Sequence, residues 1–304
     1  MKVDYTEPVS WVLDTYRQFH PNDVNAAGCV TGKPVSQGGV RGRTEATGLG
    51  VYFCIREFLS YPEVQRQTGL AGHIEGLRVI VQGFGNVVLY KFKQGFYAAH
   101  FLRTNGAKIL GVAEFNGGIF NEAGLDIPAL LEYRKEHKTF EGFPGGTFIR
   151  DSLRLLEFDC DILVPAALEQ QIHGGNAPQI KAKLIAEGAN GPITPAGHNA
   201  LIKNGVVIIP DLLCNAGGVT VSYFEWLKNL SHVRFGRMTK RWDETGKTKL
   251  VDLVESISDK RLSEKERKQI IYGASEKDLV YSGLEDTMMG ACRETHNTAI
   301  EKVI

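Results

Sequence analysis

The stretch that decides the fold is Val79-Ile80-Val81-Gln82-Gly83-Phe84-Gly85-Asn86-Val87, in which an apolar run ends at a Gly-x-Gly turn. A helix-forming segment follows, and this order predicts a strand, a tight turn and a helix whose N-terminus can hold a phosphate. The third glycine of a Gly-x-Gly-x-x-Gly motif is missing, because Val88 stands there and the next glycine is Gly95. The stretch predicts a dinucleotide site with one defect. The alternative is a chance glycine turn in an unrelated α/β protein.

Short apolar runs separated by amphipathic segments recur along the chain, at residues 78–82, 107–113, 160–164, 183–186 and 206–209. They show no polar alternation, which is typical of strands buried on both faces of a sheet. Because helical segments separate them, the sequence predicts an α/β fold with a doubly wound, Rossmann-like, mostly parallel sheet and helices on both faces. A C-terminal helical extension is predicted beyond the sheet, with the charged stretch 234–250 as a loop.

The composition is that of an ordinary globular protein, and it argues against several classes of function. The 304 residues are enough for two domains, and 35 basic against 35 acidic side chains give no sign of nucleic-acid binding. No apolar stretch approaches the roughly 18 residues of a membrane span. The five cysteines form no Cys-x-x-Cys pair, so we expect reduced intracellular thiols and no metal site. The segment Met1–Pro8 is typical of neither a signal nor a transit peptide, so we expect a mitochondrial or cytoplasmic protein with no targeting peptide in this chain.

The second apolar run ends in Glu114, where an acidic residue normally binds the adenosine ribose about 20 residues after the glycines. Here Glu114 lies 31 positions beyond Gly83. Removing the seven residues Val88–Gln94 shortens this spacing to 24 and brings Gly95 to the third-glycine position. We therefore interpret Val88–Gln94 as an insert, which either lengthens the following helix or forms a loop. Our hypothesis is that the insert weakens the binding of the pyrophosphate or misplaces it.

Five motifs carry a resemblance to a known family, at residues 32–39 (GKPVSQGG), 41–48 (RGRTEATG), 83–86 (GFGN), 186–192 (AEGANGP) and 215–226 (NAGGVTVSYFEW). Together they resemble glutamate dehydrogenase, and residues 273–278 (GASEKD) point to its animal and protist branch. The resemblance implies oxidation of L-glutamate to 2-oxoglutarate and ammonia with NAD or NADP, usually in a homohexamer. It implies no nucleic-acid or membrane partner.

The resemblance also implies roles for single residues. The substrate-binding positions are Arg43, Val219 and Ser222. The cofactor-binding positions are Thr47, Gly83, Phe84, Gly85, Asn86, Val87, Glu114, Ala166, Ala167, Asn190 and Asn215. Ser222 would meet the substrate side-chain carboxylate, although it could instead bond to its own helix. Asn190 and Asn215 would hold the nicotinamide, although both adjoin glycines and could have structural roles in turns.

The departures from the family concern catalysis. The family's glycine-flanked lysine and its acid/base aspartate are not found here, because Lys33 and Asp4 lie in different contexts. No catalytic residue is therefore assigned. The predicted domains are 1–42, a remnant of the substrate domain with its glycine-rich connection; 43–222, which binds the dinucleotide; and 223–304, a helical region with a shortened projection.

We expect a truncated glutamate dehydrogenase with impaired activity. One alternative is a non-catalytic dinucleotide-binding or assembly module derived from the same family. A second alternative, a branched-chain or aromatic amino-acid dehydrogenase, is disfavoured by the Ser222 hydroxyl. The Glu114 carboxylate favours NAD over NADP, because it would repel a phosphate on the ribose.

Overall fold

A computed structural model describes residues 6–85, 94–232, 240–258 and 260–302. The described chain divides into two compact units. The first contains residues 43–220 and 284–302, and the second contains residues 6–42 and 221–283. The helical region predicted after the sheet is thus shared between the two units.

The first unit is built on a seven-stranded sheet, counted over the described residues. Its strands are Arg78–Gln82 (β1), Lys108–Glu114 (β2), Gly117–Phe120 (β3), Thr147–Ile149 (β4), Ile162–Pro165 (β5), Leu184–Ala186 (β6) and Val207–Ile209 (β7). The order across the sheet is β4-β3-β2-β1-β5-β6-β7, with β2, β1, β5, β6 and β7 parallel and β3 and β4 joined antiparallel. The doubly wound, mostly parallel sheet is therefore confirmed. Each of the five predicted strands lies within two residues of its predicted position.

The α-helices of the described chain range in length from 4 to 26 residues. In chain order they are Thr6–Phe19 (α1), Ala46–Ser60 (α2), Pro62–Thr68 (α3), Gln94–Thr104 (α4), Ile127–His137 (α5), Pro195–Lys203 (α6), Asp211–Cys214 (α7), Gly217–Leu230 (α8), Lys240–Ser258 (α9), Glu264–Tyr272 (α10) and Glu276–Glu301 (α11). None of these helices has the combination of length and apolarity that a membrane crossing needs.

Burial on both faces explains why the strands of the sheet lack polar alternation. Val79, Ile80 and Val81 of β1 are each 0% exposed. Ile80 packs in one apolar cluster with Leu110 of β2 and other buried side chains. Alternating side chains of one strand thus enter apolar layers above and below the sheet. The antiparallel strands β3 and β4 were not predicted, since they are short and the first begins with two glycines.

In the second unit, α8 holds the glycine-rich loop that precedes α2. The Nζ of Lys33 lies 2.8 Å from Oε1 of Glu225, and both side chains are 0% exposed. The other Glu225 oxygen accepts a hydrogen bond of 2.9 Å from the amide of Gly32. Lys228 donates to the carbonyl of Gly39 at 2.9 Å. The two sequence motifs, distant along the chain, therefore form one packed structure. Lys33 is a structural residue of that packing.

The loop predicted over 234–250 is wrong for its described part, because α9 begins at residue 240. The charges suggested a solvated loop, but they line a helix whose Val251 is only 4% exposed. Asp252 and Glu255 both form ion pairs with Arg267 of α10. These partners lie more than ten residues away, so the helix is stabilised by contacts that local composition does not reveal.

Candidate dinucleotide-binding site

The glycine turn lies at the point in the sheet where the strand order reverses. β1 is flanked by β2 on one side and by β5 on the other, and all three run parallel. In open α/β sheets, ligands bind beyond the carboxyl ends of strands at such a point. Gly83 and Gly85 follow β1 directly, with φ of 87° and 89°. This left-handed backbone conformation favours glycine and explains both glycines of the turn.

Ala166 and Ala167 lie directly against the turn, and their predicted role in binding the cofactor stays a prediction. A Cβ atom added to Gly83 would lie 2.5 Å from the carbonyl oxygen of Ala166 and 3.0 Å from Cα of Ala167. A Cβ on Gly188 would lie 2.9 Å from Cβ of Ala166. The carboxyl ends of β1, β5 and β6 thus approach so closely that only small residues fit.

Gly95 has the packing role of the third glycine in the motif. It is the second residue of α4, and a Cβ on it would lie 1.7 Å from the carbonyl oxygen of Gly83. No side chain can occupy that space unless the helix moves away from the strand. The cofactor-binding residues Asn86 and Val87 lie outside the described residues, as does most of the insert. Their roles stay predictions.

Glu114 is placed beside the turn by two buried partners. Its Oε1 accepts a hydrogen bond from the amide of Phe84 and lies 3.0 Å from Nη1 of Arg134. Arg134 is 2% exposed, and its guanidinium lies 4.9 Å from the centre of the Phe140 ring. Phe84 is 1% exposed and packs edge-on against Phe96, so its side chain belongs to the core. Sequence reasoning missed Arg134, because it lies in no motif and meets Glu114 only in the folded chain.

Asn190 and Asn215 contact each other, with Nδ2 of Asn215 donating to Oδ1 of Asn190 at 2.6 Å. Two carboxylates that the sequence reasoning did not single out support this pair. Glu187 accepts from the amide of Asp211 at 2.9 Å, and Asp211 accepts from the amide of Gly191 at 2.7 Å. The loop after β6 is thereby held to the start of α7. The available signal was an acidic residue one or two positions after each of two neighbouring strands.

Burial, with a smaller contribution from the nearby charge of Asp211, raises the pKa of Glu187 to about 7, against the lowering effect of the hydrogen bond from the Asp211 amide. The side chain belongs to a residue that is 8% exposed. The folded chain therefore binds this proton more tightly than the unfolded chain, in which the ordinary pKa is 4.5. The stabilisation from the protonated carboxyl is complete below pH 4.5 and is lost as the pH rises towards 7.

Glu187→Gln is expected to remove this loss of stability. The amide keeps an oxygen for the Asp211 amide and carries no charge at any pH. Relative to the unchanged chain, the variant should gain about 1–2 kcal/mol in free energy of unfolding between pH 5 and pH 8, after allowance for solvent screening. Urea unfolding at both pH values measures the difference. Glu122→Gln, at an exposed site of the same unit, is the control and should show no such gain. A pH-independent difference between Glu187→Gln and the unchanged chain would contradict the assignment.

Two of the three predicted substrate-binding residues, Arg43 and Val219, lie near the start of α8 together with Thr47, which was predicted to bind the cofactor. A Cβ on Gly218 would lie 2.5 Å from Oγ1 of Thr47 and 3.5 Å from Nη1 of Arg43. Val219 follows and is 68% exposed. Thr47 and Arg43 are therefore brought together beside a largely exposed apolar side chain. Ser222 lies one turn further along α8, in the second unit, and its role stays a prediction.

The residues of this edge fit a dinucleotide. Gly83 and Gly85 both have left-handed backbone, a Cβ on Gly83 would meet the backbone of Ala166, and a carboxylate ends the adjacent strand β2. The topology and the turn together define a dinucleotide-binding domain of the Rossmann type. The chain belongs to the Glutamate/Leucine/Phenylalanine/Valine dehydrogenase family, a model of which matches residues 38–278. Members of this family use NAD or NADP.

Individual relatives agree with this assignment. The chain is 58% identical to "Glutamate dehydrogenase, mitochondrial" of Dictyostelium discoideum over 97% of its own length and 58% of that protein. It resembles the solved glutamate dehydrogenase of Peptoniphilus asaccharolyticus with a TM-score of 0.58 and 30% identity, covering 94% of this chain and 62% of that one. The hetero-hexameric glutamate dehydrogenase of Thermus thermophilus gives a TM-score of 0.62 at 25% identity, covering 94% and 61%. The chain thus spans about three fifths of the length of these relatives.

Proposed function

We propose that this chain is a glutamate dehydrogenase-like oxidoreductase. The reaction converts L-glutamate, water and NAD or NADP into 2-oxoglutarate, ammonia and the reduced cofactor. The observation that carries the proposal is the glycine turn after β1, in which Gly83 packs against the backbone of Ala166 and Gly95 packs against the carbonyl oxygen of Gly83. The substrate, L-glutamate, is proposed from the glutamate dehydrogenase relatives and not from the geometry of this edge of the sheet.

Different described residues would bind different parts of the cofactor. Gly83 and Gly85 would face the pyrophosphate, Glu114 the adenosine ribose, and the Asn190–Asn215 pair the nicotinamide amide. When bound, the cofactor would supply the hydride acceptor, and the protein mainly positions it against the substrate. Glu114 supports a preference for NAD, because a carboxylate repels a ribose phosphate. Arg134 offsets part of that repulsion, so the preference should be modest.

On the substrate side, Arg43, Val219 and Ser222 would meet glutamate. A hydroxyl such as that of Ser222 forms a strong charge-assisted bond with a carboxylate. The family's catalytic lysine and aspartate have no match in this sequence. A placed acid/base group contributes about 10²–10⁴-fold. We therefore propose that this chain by itself binds the cofactor but oxidises glutamate slowly.

The assembly and compartment are proposed from the relatives. The Thermus thermophilus protein is hetero-hexameric, which supports an oligomer here, proposed as a homo-oligomer, and the Dictyostelium discoideum relative is mitochondrial by name. A mitochondrial or cytoplasmic location is therefore proposed. The runner-up function is a non-catalytic cofactor-binding module that pairs with longer subunits. The unmatched catalytic lysine and aspartate favour it.

One experiment separates these possibilities: titration of the full chain with NADH and with NADPH by fluorescence, alongside NADH formation from glutamate. We expect binding of both cofactors, tighter for NADH, with little turnover. A variant without Val88–Gln94 should bind NADH about tenfold more tightly, because the turn and α4 would then be joined as in an uninterrupted motif. Equal NADH affinities of the unchanged chain and this variant would contradict the hypothesis that the insert weakens cofactor binding. Absence of binding by both chains would contradict the cofactor site, and rapid turnover would contradict the impaired activity.

A further inference from the structure

Three buried thiols from three different helices meet inside the first unit. Cys54 of α2, Cys214 of α7 and Cys292 of α11 are each 0% exposed. The thiol of Cys292 donates to Sγ of Cys54 at 3.4 Å, and the thiol of Cys54 lies 3.8 Å from the carbonyl oxygen of Leu213. None of these cysteines is used by the proposed function. The contact joins residues 238 positions apart in the sequence.

We propose that Cys54 and Cys292 are a latent disulfide, which a small two-electron oxidant of the peroxide class closes. A disulfide has a sulfur–sulfur bond of about 2.05 Å, so the two sulfur atoms must approach by little more than 1 Å. Cys214 hydrogen-bonds to the same Cys54 thiol and is the competing partner. The 3.4 Å separation of the Cys54 and Cys292 sulfur atoms favours Cys292.

Neighbouring contacts hold the two helices in register around the thiols. Nε of Arg293, the residue after Cys292, lies 2.8 Å from Oε1 of Glu57 on α2. The ring of His296 stacks on Tyr61 with 3.8 Å between ring centres. The thiols are therefore placed by charged and aromatic contacts on their own helices.

The oxidation balances with the peroxide as the sole co-reactant. One thiol attacks the peroxide and becomes a sulfenic acid, with release of water or an alcohol. The second thiol then attacks the sulfenic sulfur, and water leaves as the disulfide forms. The two sulfur atoms lose two electrons and the peroxide gains them.

The reaction is expected to be slow in the native chain. A hydrogen bond to Cys214 together with burial raises the pKa of Cys54, and the hydrogen bond to Cys54 together with burial raises the pKa of Cys292. Since the thiolate is the reactive form, few molecules react at any moment. Small oxidants should react with these thiols as α11 opens locally, whereas the exposed Cys29 should react at once.

The test is mass spectrometry of the full chain after peroxide treatment, denaturation and alkylation. The chain has five cysteines, and we expect two fewer of the buried ones to take up label. After trypsin, peptide 44–56 should be linked to peptide 278–293. The oxidised chain should also melt about 5–10 °C higher, because a very long loop is closed. Reduction should reverse both changes.

Matched variants complete the test. Cys29→Ser should keep the linked peptides, because it removes only the exposed thiol, and Cys214→Ala should keep them as well. Cys292→Ala should lose them and leave Cys54 open to alkylation. The proposal is overturned if Cys54 and Cys292 both remain alkylatable in unaltered protein after exposure to peroxide for far longer than the time in which Cys29 is fully oxidised. A link between Cys54 and Cys214 would equally overturn it.

Discussion

Replacing Lys33 by alanine is expected to lower the free energy of unfolding by about 3–5 kcal/mol, the largest effect we expect from a single substitution in this chain. Lys33 and Glu225 are 2.8 Å apart with both side chains fully buried. Without the ammonium group, the Glu225 carboxylate stays buried with only backbone amides as partners. An uncompensated charge in such a place is costly, because water cannot replace the lost partner.

Two further variants separate charge from packing. Lys265→Ala, at an exposed position of α10 in the same unit, should change the free energy of unfolding by less than about 0.5 kcal/mol. The double variant Lys33→Met, Glu225→Gln removes both charges and keeps an acceptor for the loop amides. It should recover most of the loss. Urea unfolding followed by circular dichroism measures all three variants. A loss in Lys33→Ala no larger than in Lys265→Ala would show that the pair contributes nothing.

Gly95→Ala is expected to destabilise the first unit by about 1–3 kcal/mol or more and to weaken NADH binding in parallel. The added Cβ would fall 1.7 Å from the carbonyl oxygen of Gly83, so α4 must move away from β1. The backbone of the turn then shifts with it. Affinity falls because the turn is the part of the chain proposed to face the pyrophosphate.

Gly290→Ala is the matched control, since it makes the same substitution in the middle of α11, where a Cβ would meet nothing within 4 Å. Alanine is the better helix former, so this variant should gain up to about 1 kcal/mol. Unfolding in urea and an NADH titration are made on both variants. If Gly95→Ala behaves like Gly290→Ala, the close approach of α4 to the turn is not a constraint on this fold.

The parallel strands of the sheet were predictable because the pattern that indicates each strand lies within a few consecutive residues. The run Val79–Val81 is apolar at every position, which is typical of a strand buried on both faces. The role of Gly95 was also accessible, because a spacing argument across the insert identified it. The short strand Thr147–Ile149 was not predictable, because its neighbour in the sheet supplies most of its stabilisation.

In the proposed site, too, some residues were predictable from the sequence and others were not. Gly83, Glu114 and the two asparagines were named from motifs, and the structure places Ala166 against Gly83 and Asn190 against Asn215. The residues that support them were missed. Arg134 pairs with Glu114, and Glu187 holds Asp211, through contacts that exist only after strands and helices have packed.

The amino-acid sequence alone was enough to establish the fold class, the family and the position of the glycine turn, because these depend on residue patterns within a few neighbouring positions. Tertiary structure decided which buried charges have partners and which thiols touch. Lys33 and Glu225 stand 192 positions apart, and Cys54 and Cys292 stand 238 apart. Contacts over such distances are formed only when packed helices and strands bring the side chains together, and no local pattern in the sequence records them.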